Sequence, residues 1–282
     1  MRWKGRRQSS NIEDRRGGGG GKMIGGGIGV LVIAAIVYFM GGDPTEVLQQ
    51  AGNIQSQSTG QYTPSAAEQE AAQFVSVVLA ETETFWHKEF ADLGYTYQEP
   101  TLVLFTGTDQ SGCGHASAAS GPFYCPADQK IYIDLSFYDE LHNRFGAPGD
   151  FAMAYVVAHE VGHHVQTLLG ISEKVRALKA SRSEVEANKL SVMQELQADF
   201  FAGMWAHDAD RMQNILDEGD IDEALNAANA IGDDNLQRRF GDGVVVPDAF
   251  THGTSAQRIR WFKKGYRTGD ISQGDTFGAR EL

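Results

Sequence analysis

The spacing of apolar positions changes along this chain, and with it the predicted secondary structure. Between residues 66 and 90, apolar side chains recur near every third or fourth position, which predicts one amphipathic helix. Three runs rich in β-branched and aromatic residues follow, at residues 101–105, 116–124 and 130–135. These runs are short and close together, so they predict a small, mostly antiparallel sheet.

Helical patterns fill the rest of the chain. They cover residues 150–170, 183–207, a segment that begins at Asp220, and residues 255–266. Asp150 is a credible N-cap for the first of them, and Ser183 with Glu186 has the spacing of a capping box at the start of the second. The order of helix, sheet and further helices predicts an α+β domain over residues 66–282.

The longest uncharged run precedes all of these elements. Residues 23–40 read MIGGGIGVLVIAAIVYFM, and residues 1–22 before them hold seven basic and two acidic residues. This combination predicts one transmembrane helix, with the basic arm in the cytoplasm and a flexible linker over residues 41–65. A cleaved signal peptide is the alternative, but no small-x-small cleavage site follows Met40. The body is then expected to lie outside the cytoplasm.

The charge of the chain limits the classes of partner it can bind, and its two cysteines predict a disulfide. The net charge is -13, and the part of the chain after residue 22 holds 17 of the 24 basic and 35 of the 37 acidic residues. So acidic a body repels phosphate backbones, and we expect no nucleic-acid partner. The two cysteines, Cys113 and Cys125, are predicted to form a disulfide beyond the membrane. A metal site that combines them with His115 is the alternative.

The candidate chemistry starts in residues 156–166, which read VVAHEVGHHVQ. His159 and His163 are four apart, so they lie on one face of a helix and can bind one Zn²⁺. Glu160 projects to the side of that face, where it can act as a general base toward a water molecule. His164 is turned by about 100° from His163 around the helix, so it is not expected to bind the metal. Two surface histidines are the alternative, although the neighbouring valines favour a buried helix.

A catalytic zinc needs a third protein ligand and an open position. Gln166 and Leu169 stand where the metzincin pattern requires glycine and histidine, so that arrangement is excluded. Glu195 and Asp199, four apart in ELQAD, can supply a carboxylate ligand and an acceptor for the N–H of a ligand histidine. A solvent-facing acidic pair is the alternative, but the surrounding residues are apolar, and unpaired carboxylates are costly there.

These motifs resemble those of known zinc peptidases. HEVGH followed by ELQAD is similar to the gluzincin pattern of thermolysin. From residue 1 to about residue 270, the chain resembles a bacterial family described as "putative neutral zinc metallopeptidase". The stretches that carry this resemblance are GPFYCPADQKIYIDLSF, AHEVGHHVQ, ELQADFFAG and THGTSAQRIRWF. The resemblance implies a zincin-like α+β domain with one Zn²⁺, a polypeptide substrate and a periplasmic location.

The resemblance also implies roles for residues outside the two metal motifs. His252 is expected to donate a hydrogen bond to the oxyanion of a tetrahedral intermediate, and Arg258 to position the walls of the site. A helix N-terminus with a histidine in its leading loop is the alternative reading of this segment. Residues 116–119 are expected to form an edge strand that pairs with an extended substrate backbone.

The sequence thus predicts a membrane-anchored, zinc-dependent endopeptidase. In this hypothesis His159, His163 and Glu195 bind one Zn²⁺, and Glu160 moves a proton from water to the leaving amine. The alternative is a catalytically silent, zinc-stabilised adapter or binding module of the cell envelope. Glu160 favours the enzyme, because a structural zinc site has no use for a free carboxylate beside the metal.

Overall fold

The computed structural model describes residues 1–17, 62–241 and 243–282. Its strands are β1 (Ile12–Asp14), β2 (Thr101–Phe105), β3 (Thr108–Ser111), β4 (Gly114–Ser117), β5 (Phe123–Cys125) and β6 (Lys130–Asp134). Its helices are α1 (Ala66–Asp92), α2 (Phe137–Asp139), α3 (Asp150–Leu168), α4 (Ile171–Lys179), α5 (Glu184–Arg211), α6 (Asp220–Ala230), α7 (Asp233–Phe240) and α8 (Ser255–Thr268). A π-helical turn, Glu140–Arg144, continues α2.

The main sheet has four strands in the order β1-β2-β6-β5. β1 and β2 are parallel, β2 and β6 are parallel, and β5 runs antiparallel to β6. A turn at Ala118–Ser120 interrupts the strand predicted over residues 116–124, so β4 pairs with β3 in a separate hairpin. The α+β class is confirmed, but a mostly antiparallel main sheet is wrong. Long connections between β1, β2 and β6 let these strands return in the same direction.

The four main helical predictions are confirmed with small shifts at their ends. α3 begins at Asp150, with Gly149 at a φ of 110° as the cap residue, so Asp150 is not the N-cap. The predicted capping box of Ser183 and Glu186 is present. α3 is the central helix, since residues 151–162 are all buried between α1, α5 and α6. The HExxH segment therefore lies on a helix that is enclosed by three others.

Two glycines permit a close crossing between α5 and α8. A Cβ atom at Gly203 would collide with the backbone of α8, and one at Gly265 with the backbone of α5. Only glycine permits so close an approach of two backbones. This crossing brings Arg258, on α8, to Asp199, on α5.

The N-terminal arm is an integral part of the fold. β1 extends the main sheet, and the side chains around it reach buried carboxylates of α1. Glu83, which is 1% exposed, accepts hydrogen bonds from Arg7 Nη1 at 3.0 Å and from Asn11 Nδ2 at 2.9 Å. At the other end of the arm, Gly17 lies so close to Tyr62 that a Cβ at Gly17 would collide with the tyrosine side chain.

The prediction of a single-pass membrane protein is contradicted. Within residues 1–17, 62–241 and 243–282, no helix is long and apolar enough to cross a membrane. The predicted anchor, residues 23–40, lies outside the described residues. The arm before it was expected in the cytoplasm and the body after it beyond the membrane. In the structure, β1 of the arm pairs with β2 of the body in one sheet, which differs from the predicted placement of the two parts on opposite sides of a membrane.

Arg7→Ala tests the place of the arm in the fold. The substitution leaves the buried Glu83 without its cationic partner, and we expect a loss of about 1–2 kcal/mol, moderated by the half-exposed position of Arg7. Thermal unfolding should show a melting temperature lower by about 2–8 °C. Lys4→Ala is the control, because Lys4 and its partner Glu70 are both exposed. Equal melting temperatures for the two variants would contradict the assignment.

Cys113 and Cys125 form a disulfide, with Cα atoms 5.7 Å apart. This confirms the predicted pairing and removes the alternative of a metal site with His115, because neither sulfur is free to bind an ion. The bond ties the β3–β4 hairpin to β5. Since β5 lies beside α3, the disulfide braces one wall of the candidate site.

Candidate metal centre

Three side chains from α3 and α5 bring metal-binding atoms together. His159 Nε2 lies 3.2 Å from Glu195 Oε2, and His163 Nε2 lies 3.4 Å from Glu195 Oε1. One ligand-capable atom from each of the three residues lies within 4.8 Å of the others. With zinc–ligand bonds of about 2.0–2.1 Å, ligand atoms in a tetrahedral site are separated by about 3.3 Å. Two imidazole nitrogens and a carboxylate at this spacing fit Zn²⁺.

Each histidine is oriented by an oxygen on its far side. His159 Nδ1 lies 2.8 Å from Asp199 Oδ1, and His163 Nδ1 lies 3.0 Å from Gln166 Oε1. Because these oxygens accept, each Nδ1 carries a proton and donates it, which leaves the Nε2 lone pair for a metal. Gln166 is in turn fixed through its Nε2, which donates to the Gln194 carbonyl at 2.7 Å.

Asp199 is the centre of a buried network. Arg258 binds it through two hydrogen bonds, from Nε to Oδ2 at 2.8 Å and from Nη2 to Oδ1 at 2.9 Å. The Tyr155 hydroxyl donates to Oδ1 at 2.5 Å. Burial by itself would raise the pKa of Asp199, but the charges of Arg258 and His159 and their hydrogen bonds hold it at about 2. The structure thus places Arg258 against Asp199, on the Nδ1 side of His159.

Glu160 lies beside the three metal-binding side chains. Within the described part of the chain, it is not a member of any group of residues that could hold a metal ion. It is buried, with 8% exposure, and it lines the same cleft of about 850 Å³ as His159, His163 and Glu195. Burial raises the pKa of its carboxyl group, and the neighbouring His163 and His159 oppose this effect. A free carboxylate next to a set of metal-binding atoms is the arrangement expected of a general base.

His252 lines the cleft from the loop before α8. Its Nδ1 lies 3.2 Å from Asp233 Oδ1, and this hydrogen bond raises the pKa of His252. Asp233 Oδ2 also accepts the backbone N–H groups of Thr251, His252 and Gly253 at 2.7, 2.6 and 3.0 Å. One carboxylate therefore fixes both the loop and the imidazole ring, and Nε2 remains available to the cleft.

His164 points away from the metal-binding atoms. It is fully buried, and its Nε2 donates to the Gln98 carbonyl at 2.6 Å while Nδ1 lies 3.1 Å from the Tyr124 hydroxyl. Burial lowers the pKa of His164 to about 4. Its contact with Tyr124 holds β5 against α3.

The strand beside the cleft differs from the expected one. Residues 116–119 were expected to form an edge strand, and the structure divides them between β4, which pairs with β3 along one edge, and the turn that follows β4. β5 is one of the two edge strands of the main sheet, and its residues Phe123 and Tyr124 line the cleft. The turn at Ala118–Ser120 causes this difference, because it moves the chain from one sheet to the other.

The sequence did not identify several of these residues as part of the site. Tyr155 and Gln166 stand four residues before His159 and three after His163, so helical spacing could have identified them as neighbours. Asp233 lies nineteen residues before His252 in sequence and carries no such signal.

Zinc metallopeptidases typically combine a helix that carries two histidines four residues apart with a second helix that supplies a carboxylate. The chain belongs to the family described as "Putative neutral zinc metallopeptidase", whose model matches residues 1–277. This confirms the resemblance seen in the sequence, and the family name implies zinc.

Relatives of the chain occur in distant bacteria. The chain is 51% identical over 288 residues to "Uncharacterized protein YpfJ" of Escherichia coli (strain K12), covering 99% of both chains. It is 43% identical over 196 residues to "Uncharacterized protein Rv2575" of Mycobacterium tuberculosis (strain ATCC 25618 / H37Rv), covering 66% of this chain and 65% of the relative. No solved structure matches the chain.

Proposed function

We propose that this protein is a zinc-dependent endopeptidase that hydrolyses peptide bonds in a polypeptide substrate. Glu160 carries the proposal. Its carboxylate lies on the cleft beside three metal-binding side chains and is not one of them. A zinc site that only stabilises the fold is closed by four protein ligands, whereas a catalytic site has three and an open position.

His159, His163 and Glu195 are the proposed ligands of one Zn²⁺. When bound, the ion polarises the scissile carbonyl and lowers the pKa of water. Asp199 and Gln166 hold the two imidazoles in the tautomer that presents Nε2.

Proton transfer is assigned to Glu160. Its carboxylate accepts a proton from the attacking water and delivers that proton to the nitrogen of the leaving amine. His252 donates a hydrogen bond from Nε2 to the oxygen of the scissile carbonyl as negative charge develops there. Asp233 keeps the ring in place through Nδ1. The free edge of β5 lies along the cleft and supports pairing with an extended substrate backbone.

Metal analysis combined with a cleavage assay tests this proposal. We expect about one zinc per chain, cleavage of an unfolded protein such as casein, loss of cleavage with a chelator, and recovery when zinc is added back. A zinc-loaded protein that cleaves no unfolded substrate would contradict the proposal and favour the binding module without turnover. Cleavage that persists after complete removal of metal would also contradict it.

A further inference from the structure

The cleft has two chemically different ends along α3. From Val156 to Thr167 the helix rises by about 16 Å, with the proposed metal ligands between these residues. The end near Val156 is lined mainly by aromatic and aliphatic side chains, together with the ion pair of Arg144 and Glu140; the apolar residues are Phe137, Phe145, Ile231, Leu236 and Phe240. The end near Thr167 is lined by polar and cationic side chains, namely Ser172, Arg176, Lys179, Ser191 and Gln194.

The apolar end is preformed. The rings of Phe145 and Phe240 pack edge to face with centroids 5.6 Å apart, and Phe137 lies 6.1 Å from Phe145. Phe240 is 44% exposed despite these contacts. An exposed aromatic surface beside a candidate catalytic site offers contact area to a large apolar side chain of a substrate.

The cationic end is formed by α4. Ser172 lies 3.3 Å from the Thr167 hydroxyl of α3 and 3.3 Å from Gln194 Nε2 of α5, which fixes α4 against both helices. Arg176 and Lys179 stand one turn apart on this helix, and both line the cleft. Lys179 Nζ donates to Ser191 Oγ at 2.6 Å.

The two cations of α4 differ from the other cations of the cleft in having no carboxylate partner. Arg258 pairs with Asp199 at 2.8 Å, and Arg144 pairs with Glu140 at 3.6 Å. Arg176 and Lys179 form no ion pair within the described part of the chain. Both cations therefore remain available to a negatively charged group that enters this end of the cleft.

We infer that the cleft selects polypeptides by a carboxylate on one side of the scissile bond and an aromatic or large aliphatic side chain on the other. This inference rests on the proposed function. Thr167 lies about 6 Å beyond His163 along the helix, and an extended chain advances about 3.3 Å per residue. The cationic end therefore begins about two residues of an extended substrate beyond His163, and the probes place the carboxylate there. An acidic side chain and the C-terminus of a substrate present the same group.

Peptide cleavage by charge variants tests the inference. The probes are quenched fluorescent peptides with a central Phe and with Glu, Gln or Lys two residues away on either side. The zinc-loaded protein should give a kcat/KM about tenfold higher for the better Glu peptide than for its Lys counterpart, and Arg176→Glu should remove or reverse this preference. Lys174→Glu changes the net charge equally on the exposed side of α4, and it should keep the preference within about twofold.

Two further experiments distinguish the possible outcomes. Peptides with free or amidated C-termini distinguish a terminal carboxylate from a side chain, and dependence on Arg176 in either series supports the inference. Binding of the same peptide sequences, labelled with the fluorophore alone, to zinc-loaded Glu160→Gln with and without Arg176→Glu gives a readout without turnover when it is followed by fluorescence anisotropy. If nothing is cleaved but Arg176-dependent binding persists, the proposed function fails alone. If cleavage occurs with equal Glu-to-Lys ratios in all three proteins, the inference is overturned and the proposed function stands.

Discussion

Glu160→Gln is expected to lower kcat on an unfolded substrate by about 10²–10⁴-fold while zinc remains bound. Glutamine keeps the size of the side chain and its place on α3, but it cannot accept the proton of the attacking water. The three proposed ligands, His159, His163 and Glu195, are unchanged, so metal content should equal that of the parent. Single-turnover cleavage with parallel metal analysis measures both quantities.

The control for this variant is Glu218→Gln, an exposed glutamate outside the cleft. It should match the parent in both zinc content and rate. Parental cleavage by Glu160→Gln would exclude Glu160 as the proton carrier. Loss of zinc from the variant would instead assign Glu160 a direct role in binding the ion, and would require another base.

Arg258→Met is expected to reduce the free energy of unfolding by about 3–5 kcal/mol, because it leaves Asp199 as an unpaired buried charge. Asp199 is fully buried and Arg258 is 2% exposed, so water cannot replace the lost partner. Asp199 should then hold His159 less firmly, and zinc affinity should fall about 10–100-fold. Urea unfolding and competition with a chromophoric chelator measure the two effects.

Arg260→Met is the matched control on the same helix. The Arg260 side chain is 48% exposed and its partner Glu281 is 82% exposed, so the change in stability should stay within about 0.5 kcal/mol. Adding Asp199→Asn to Arg258→Met removes the uncompensated charge. It should restore part of the lost stability but not the zinc affinity. A single Arg258→Met variant as stable as Arg260→Met would contradict the role assigned to this pair.

The predictions for α3 and α5 rest on local patterns of a few consecutive residues. Helical spacing predicts the arrangement of His159, Glu160 and His163 relative to one another, because the five consecutive residues 159–163 of α3 determine their geometry. Capping chemistry located the start of α5, and with it the positions of Glu195 and Asp199. These predictions needed no knowledge of how the helices pack.

Contacts between distant segments could not be read in the same way. The paired residues of β1 and β2 are ninety positions apart in the sequence, and no local pattern in Ile12–Asp14 indicates that pairing. The apolar run at residues 23–40 suggested that everything before it was separate from the body. Whether a strand runs parallel or antiparallel also depends on the path of the chain between strands, which periodicity does not describe. Asp233 was missed for the same reason, since only the fold brings it to His252.

The contact between Gly17 and Tyr62 has a practical consequence for engineering. Because these two residues touch, the folded body presents the attachment points of residues 18–61 side by side on its surface. We expect that a linker of a few glycines can join them while β1 and α1 keep their places, which would give a shortened chain that retains every residue assigned to the metal centre. The same junction is a natural place to graft a reporter or an affinity module onto the protein.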